Sequence, residues 1–305
     1  MAHARTASVH AIHPKTVRNR EAIAFLAFVI PGMVFVAFTS LIPFCMNLYY
    51  AFTDWNGLSS EVNFVGLSNF AEIFQDVRFK SALIFTLKYT VIYVLLINVV
   101  ALVLAMALVQ KFKGSSFFRA AIYVSNIVSA IIVGYMWRFI FTIACKSVAE
   151  MTGIPFFAQS FLGNAQNAFW VLIIVAVWKS TGFYMLLYIS GYVSIPDELH
   201  EVALLDGARG LVKFWRITLP MMMYSVTIAL FYSITEAFRS FEVILVLTNG
   251  GPGFATRNLA FNIYTEAFKN NRFGYGTAQA VLFFLMIGTV TILQVRMTQK
   301  SEVKA

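Results

Sequence analysis

Lys179, Glu236, Arg239 and Glu242 lie in or beside long apolar runs of the chain, where a charge without water has to face a cavity or an opposite charge. Lys179 is about eleven residues into its run and Glu236 about sixteen residues beyond Pro220. At about 1.5 Å per residue, both fall near the middle of a ~30 Å hydrocarbon layer. Two arrangements follow from this placement. Either Glu236 and Arg239, one helical turn apart, border a hydrophilic route with Glu242 nearer its outer mouth, or the charges form a salt bridge that fixes packing. Trp178 and Tyr184 offer aromatic faces beside them, suited to stacking on a ring-shaped solute. Lys88 and Arg138 stand closer to run ends, where long side chains reach the headgroups. Reaction chemistry is not indicated. His3, His10, His13 and His200 share no helical face, so no metal site is expected. No nucleophile stands with a base, and the chain has no Gly-x-x-x-x-Gly-Lys-Ser/Thr phosphate loop, so it cannot itself be an ATPase of that kind.

Long apolar helices must position these groups. Of the 305 residues 59% are hydrophobic and 12% charged, about half the charge that coats a soluble globule. The apolar residues form six runs, roughly 22–52, 82–110, 117–145, 168–194, 220–247 and 278–295, read as six membrane-crossing helices. Cations cluster before the first run (Arg5, Lys15, Arg18, Arg20), at the second turn (Lys111, Lys113, Arg119), at the fourth (Arg209, Lys213, Arg216) and at the end (Arg296, Lys300, Lys304). The positive-inside rule therefore places both termini in the cytoplasm. Arg257, Lys269 and Arg272 on later outer segments run against this bias. The net charge of +9 is spread over several loops, which fits contact with anionic lipid better than a nucleic-acid face. The first run is read as an uncleaved span, with Pro31 and Pro43 permitting kinks. Residues 1–20 and 299–305 are read as polar tails around one membrane domain, 21–298. Cys45 and Cys145 are read as packing residues. Most of the 31 Phe, 13 Tyr and 5 Trp serve lipid contact and the interfacial belt.

The longest inner connection, 195–219, predicts a helix of two to three turns. Ser194 and Asp197 have capping-box spacing, and Pro196 suits a first turn. Leu199, Val202, Ala203 and Asp206 recur at helical spacing, and Gly207 can supply the positive φ that ends the helix. Glu201 suits a charged contact with a partner surface, or else a pairing with Arg209.

Glu201-Val202-Ala203, Gly207, Ile217, Leu219 and Pro220 resemble the signature loop of permease subunits of bacterial ABC importers: Glu-Ala-Ala, three residues, Gly, nine residues, Ile-x-Leu-Pro. Val202 departs from it. Further patches resemble the carbohydrate-uptake subgroup: Val65-Gly66-Leu67 with Asn69-Phe70, Trp137-Arg138-Phe139, Trp178-Lys179 with Gly182-Phe183-Tyr184-Met185, and Thr248-x-Gly250-Gly251-Pro252. Glu242 stands where that subgroup usually has aspartate.

The resemblance implies an all-α integral membrane protein of the bacterial inner membrane, with six spans and a cytoplasmic coupling helix between the fourth and fifth. It implies coupling to an ATPase through Glu201, Ala203, Asp206, Gly207, Ala208, Ile217, Leu219 and Pro220. It also implies a complex of two permeases, two ATP-hydrolysing subunits that hold the ATP and Mg²⁺, and an extracytoplasmic solute-binding protein. The second permease is expected to be a different chain, and the solute a sugar, an oligosaccharide or a sugar derivative. The rival readings are an ion-coupled secondary transporter, which would use Lys179 and Glu236 without an ATPase, and a non-transporting membrane scaffold.

Overall fold

A computed structural model describes residues 14–110 and 112–300. The expectations for residues 1–13, Lys111 and residues 301–305 lie outside the described residues. Contacts divide the chain into two units, 1–50 and 51–305. The first holds α1 (Pro14–Val36), a π-turn over Ala37–Leu41, and α2 (Ile42–Tyr50). Helix α1 starts inside the stretch read as a tail. The π-turn lies just ahead of Pro43, whose missing N–H cannot bond the preceding turn.

The second unit is also helical, with an isolated bridge between Thr53 and Phe64. A short α3 (Ser68–Gln75) leads into α4 (Val77–Leu108). Asp76 caps α4, accepting the Arg78 N–H at 2.8 Å, which satisfies one of the orphan donors of a helix start. Then follow α5 (Ser115–Ile127), α6 (Ala130–Phe139), a π-turn, α7 (Cys145–Thr152) and α8 (Pro155–Ala158). Helix α9 (Ala165–Val193) opens on Asn164, whose Oδ1 accepts from the Gln166 and Asn167 amides. Next come α10 (Asp197–Leu205), α11 (Gly210–Lys213), a π-turn over Phe214–Thr218, α12 (Leu219–Met221) and α13 (Met223–Phe238). The chain closes with α14 (Glu242–Leu247), α15 (Leu259–Tyr264), a π-turn and α16 (Phe273–Gln299).

Five helical stretches are long and apolar enough to cross a membrane: 25–50, 77–108, 130–152, 165–193 and 273–299. A sixth exists if Gly210–Met221 and Met223–Phe238, which meet at 74°, count as one span. Two of the six expected runs are not continuous helices. The third, 117–145, breaks at Val128 and Ser129, both extended. There α5 is held against α9 while α6 turns away to pack on α14. A Cβ added to Gly182 of α9 would sit 2.5 Å from the Tyr123 Cα and 2.7 Å from the Ile122 carbonyl oxygen. The hydroxyl of Ser125 donates toward the Ile122, Trp178 and Lys179 carbonyls. The fifth run, 220–247, breaks at Arg239–Phe241, where the freed Ser240 carbonyl is taken by the Asn258 side chain at 2.7 Å.

Helix α4 is the spine of the core. Phe85, Tyr89, Tyr93, Ile97, Ala101 and Ala105 are buried at every fourth position, one face of a 3.6-residue helix, against α9 and α13. A second cluster joins α3, α4, α15 and α16 through Ile73, Ala82, Leu259 and Tyr275. The three cations that run against the charge bias have local partners. Arg272 bonds Glu72 at 2.6 Å and approaches the buried Glu266 at 3.9 Å, Arg257 lies over the Phe254 ring, and Lys269 over the Tyr264 ring. Cys45 and Cys145 are free thiols. Lys88 stands 4.6 Å from the Phe169 ring centroid, and Arg138 donates to the Val246 carbonyl at 3.3 Å.

Candidate functional site

Breaking the fifth run places its charges around a hollow. Glu236 occupies the last turn of α13, Arg239 ends that helix, and Glu242 starts α14. With Lys179 of α9 they line a cavity of about 300 Å³, whose walls also carry Tyr89, Tyr93, Ser180 and Ser240.

Glu236 is the hub. One carboxylate oxygen accepts from the Ser180 hydroxyl at 2.5 Å, and the other from the Tyr93 and Tyr184 hydroxyls at 2.8 and 2.7 Å. Its three donors come from α4 and α9, so the carboxylate on α13 ties three helices at one point. Hydrogen bonds to a charged acceptor in such surroundings are strong. The salt-bridge reading is not realised: among the described residues the ion pairs are Arg272 with Glu72 and Glu266, and Glu236 is solvated by hydroxyls instead. Farther along the same interface, Asn98 accepts from the Tyr188 hydroxyl at 2.6 Å and donates to Ser233 at 3.0 Å. The polar contacts thus continue from α4 across α9 and α13.

Not every expected residue joins this group. Tyr184 is buried, and its hydroxyl supports Glu236 rather than its ring facing the cavity. Trp178 lies on a separate apolar groove with Leu96, Val100 and Ile174, its ring edge-on to Trp137 at 5.5 Å. The sequence reading missed Tyr89, Tyr93, Ser180 and Ser240. Tyr89 and Tyr93 stack at 5.9 Å. Their four-residue spacing, continued near Asn98, is the signal that could have found them.

The 195–219 segment holds the expected short helix, with a different start. Ser194 is the C-cap of α9 and its hydroxyl donates to the Gly191 carbonyl at 2.8 Å. It therefore forms no capping box with Asp197, and Pro196 stands at the N-cap of α10. The end is as expected. Gly207 has φ +76°, its N–H bonds the Leu204 carbonyl at 3.2 Å, and the Ala208 N–H bonds the Ala203 carbonyl at 2.9 Å. That pair of bonds is a Schellman turn. Nothing lies within 4 Å of an added Cβ at Gly207, so backbone conformation, and no contact inside the chain, demands glycine there.

Ala203 is the one buried residue of α10. Glu201, Val202 and Asp206 are exposed, and Glu201 makes no ion pair with Arg209. Ile217, Leu219 and Pro220 are half-buried in the helical stretch ahead of the 74° bend. His200 stacks on Tyr192 at 5.1 Å and neither ring nitrogen has a partner. Burial, then Lys213, holds its pKa below the usual 6.5, while Asp197 opposes them.

Residues 97–302 match the family described as binding-protein-dependent transport system inner membrane component. The chain belongs to this family. It is 36% identical, over 93% of its length and 97% of the other's, to the probable starch degradation products transport system permease protein of Thermoanaerobacterium thermosulfurigenes. It is 34% identical, over 86% and 90%, to the multiple sugar-binding transport system permease protein of Streptococcus mutans. Its fold is similar to a chain of a bacterial ABC transporter involved in import of the acidic polysaccharide alginate, with a TM-score of 0.81, 19% identity, and coverage of 94% and 99%. As a binding-protein-dependent permease, the chain carries the signature-loop residues on α10 and the helical stretch after it, and the charged cavity at the far end of α13.

Proposed function

We propose that this chain is one permease subunit of an ATP-driven inner-membrane importer for a sugar, oligosaccharide or sugar derivative. The cavity around Glu236 carries this reading. It combines carboxylates, cations and hydroxyls at the depth where a membrane helix breaks, a construction suited to a polyhydroxylated solute. Relatives named for starch products and for multiple sugars support the solute class.

Half of the path belongs to this chain and half to a second, different permease. Exposed Glu201, Asp206, Gly207 and the half-buried Ala208 of the coupling loop offer a docking face to an ATPase, which holds ATP and Mg²⁺ while this chain binds no cofactor. Both termini and the 195–219 loop face the cytoplasm in this reading. An extracytoplasmic binding protein delivers solute on the opposite side; the crystal structure of a bacterial alginate ABC transporter in complex with an alginate pentasaccharide-bound periplasmic protein supports this partner.

The geometry suggests how force reaches the solute. Helix α10 ends in its Schellman turn, and the chain then runs through α11, the π-turn and α12 into α13. From Met223 to Glu236 is about 20 Å at 1.5 Å per residue. A displacement of α10 passed along this stretch swings α13, whose far end carries the hub carboxylate, in the rocking form of alternating access.

Isolation of the tagged chain from its native membrane, followed by reconstitution, tests the proposal. A stoichiometric soluble ATPase, a second permease and ATP-dependent solute uptake are expected. Uptake by this chain alone, driven by an ion gradient, would assign it to the secondary transporters.

A further inference from the structure

A second hollow lies away from the charged cavity. Between the C-terminal half of α4 and the stretch running from α11 into α12 is a groove of about 670 Å³. Val99, Val103 and Met106 form one wall, and Leu211, Phe214 and Trp215 the other. Much of this lining is bare: Leu211 is 76% exposed and Trp215 63%. The second wall belongs to the section that meets α13 at 74°. With α13 crossing the bilayer, this section runs along its surface, where Trp and long cationic side chains are at home.

The two walls carry cations only, although Asp197 lies near one end, close enough to act on the His200 ring that stacks on Tyr192 of the lining. Lys213 is part of the same lining. Arg216 follows Trp215 directly. Arg119 reaches the end of α4, donating to the Leu108 carbonyl at 2.5 and 3.2 Å, one residue before Val109 of the lining. Neither wall segment contains an Asp or Glu: there is none from Val77 to Ala149, and none from Gly207 to Thr235. An apolar slot with Lys213 in its lining, and with Arg216 and Arg119 on the segments that adjoin it, is complementary to a molecule with a hydrocarbon tail and an anionic head.

We infer that this groove is a site for an anionic glycerophospholipid of the surrounding bilayer, with an acyl chain between α4 and Leu211–Trp215 and its phosphate against Lys213, Arg216 and Arg119. Such a lipid joins the coupling stretch to α4, and its seat is distinct from the solute cavity. The inference rests on the membrane-spanning reading alone, so lipid retention is read without solute or ATP.

The purified permease complex, exchanged into nanodiscs of equal phosphatidylcholine and phosphatidylglycerol and then released into detergent, tests it by native mass spectrometry of retained lipid. Wild type should retain phosphatidylglycerol preferentially. A cation near the surface is worth about 1 kcal/mol, or about five-fold, so the Lys213→Gln, Arg216→Gln pair should reduce that preference about 25-fold. Val103→Trp fills the slot and should reduce retention of both lipids. Equal retention of both lipids by wild type would overturn the inference. So would efficient cross-linking of a Val103→Cys complex to the second permease through a maleimide photo-cross-linker with no lipid retained, because the groove would then be a protein interface.

Discussion

Glu236 accepts from three hydroxyls and lines the cavity, so its replacement should be felt in transport as well as in packing. Glu236→Gln keeps the shape and loses the charge. Gln keeps one acceptor oxygen, so the complex should still be recovered, while a solute that met the carboxylate would lose a hydrogen bond to a charged group worth about 1.5–3 kcal/mol, and uptake should fall at least about ten-fold. Uptake and co-purification measured on the same preparation check this, and unchanged uptake would remove Glu236 from the path. Tyr184→Phe withdraws one of three donors and should have a smaller effect. Lys179, Glu236, Arg239 and Glu242 were legible in the sequence because a charge in an apolar run demands a reason. Their hydroxyl partners were not: Ser and Tyr are ordinary fillers of membrane helices, and only the fold shows that Tyr93, Tyr184 and Ser180 converge on one carboxylate. Trp178 was misleading for a related reason, since neighbours in sequence on α9 face different hollows.

Helix α10 was readable at its end and not at its beginning. Gly207 marks a turn that few residues other than glycine can make, whereas Ser194 has two uses, and α9 takes its hydroxyl. Gly207→Val forces a β-branched residue to φ +76°, at a strain of about 1–3 kcal/mol. Stimulated ATP hydrolysis should lose its link to uptake, or the ATPase should fail to co-purify, and normal values for both would refute the role of this turn. His200 gives the same element a dependence on pH. Its folded pKa lies below 6.5, so the folded form binds fewer protons than a form with the ring in water. The stabilisation is complete above 6.5 and declines as pH falls from there toward the folded value. Acidifying the solution around α10 should weaken the α9–α10 contact in wild type, and His200→Phe should remove this acid sensitivity while keeping an aromatic ring on Tyr192. ATPase activity against pH for the two complexes measures it. At the α5–α9 crossing, Gly182→Leu has no space to occupy and should prevent recovery of the folded chain, as expression in membranes would show.

For the molecule as a whole, composition alone announced long apolar helices, and the runs at 82–110, 168–194 and 278–295 each correspond to one. The third and fifth runs concealed their breaks because hydropathy averages over a window and is blind to two or three residues of irregular backbone. What opens those breaks is tertiary: the demand of α6 for α14, and of Ser240 for Asn258. Alternating access predicts that the cavity changes sides with nucleotide state. With Cys45 and Cys145 replaced by Ser, a Glu242→Cys complex should react with a membrane-impermeant maleimide from outside at rates that differ several-fold between ATP-bound and nucleotide-free forms. Identical rates would argue for a static structure. Helices α6 and α14 hold each other and are joined to α5 and α13 through backbone that is not helical. The two breaks are therefore hinges, and a tilt of that pair would carry Glu242, at the start of α14, across the mouth of the cavity without bending α13.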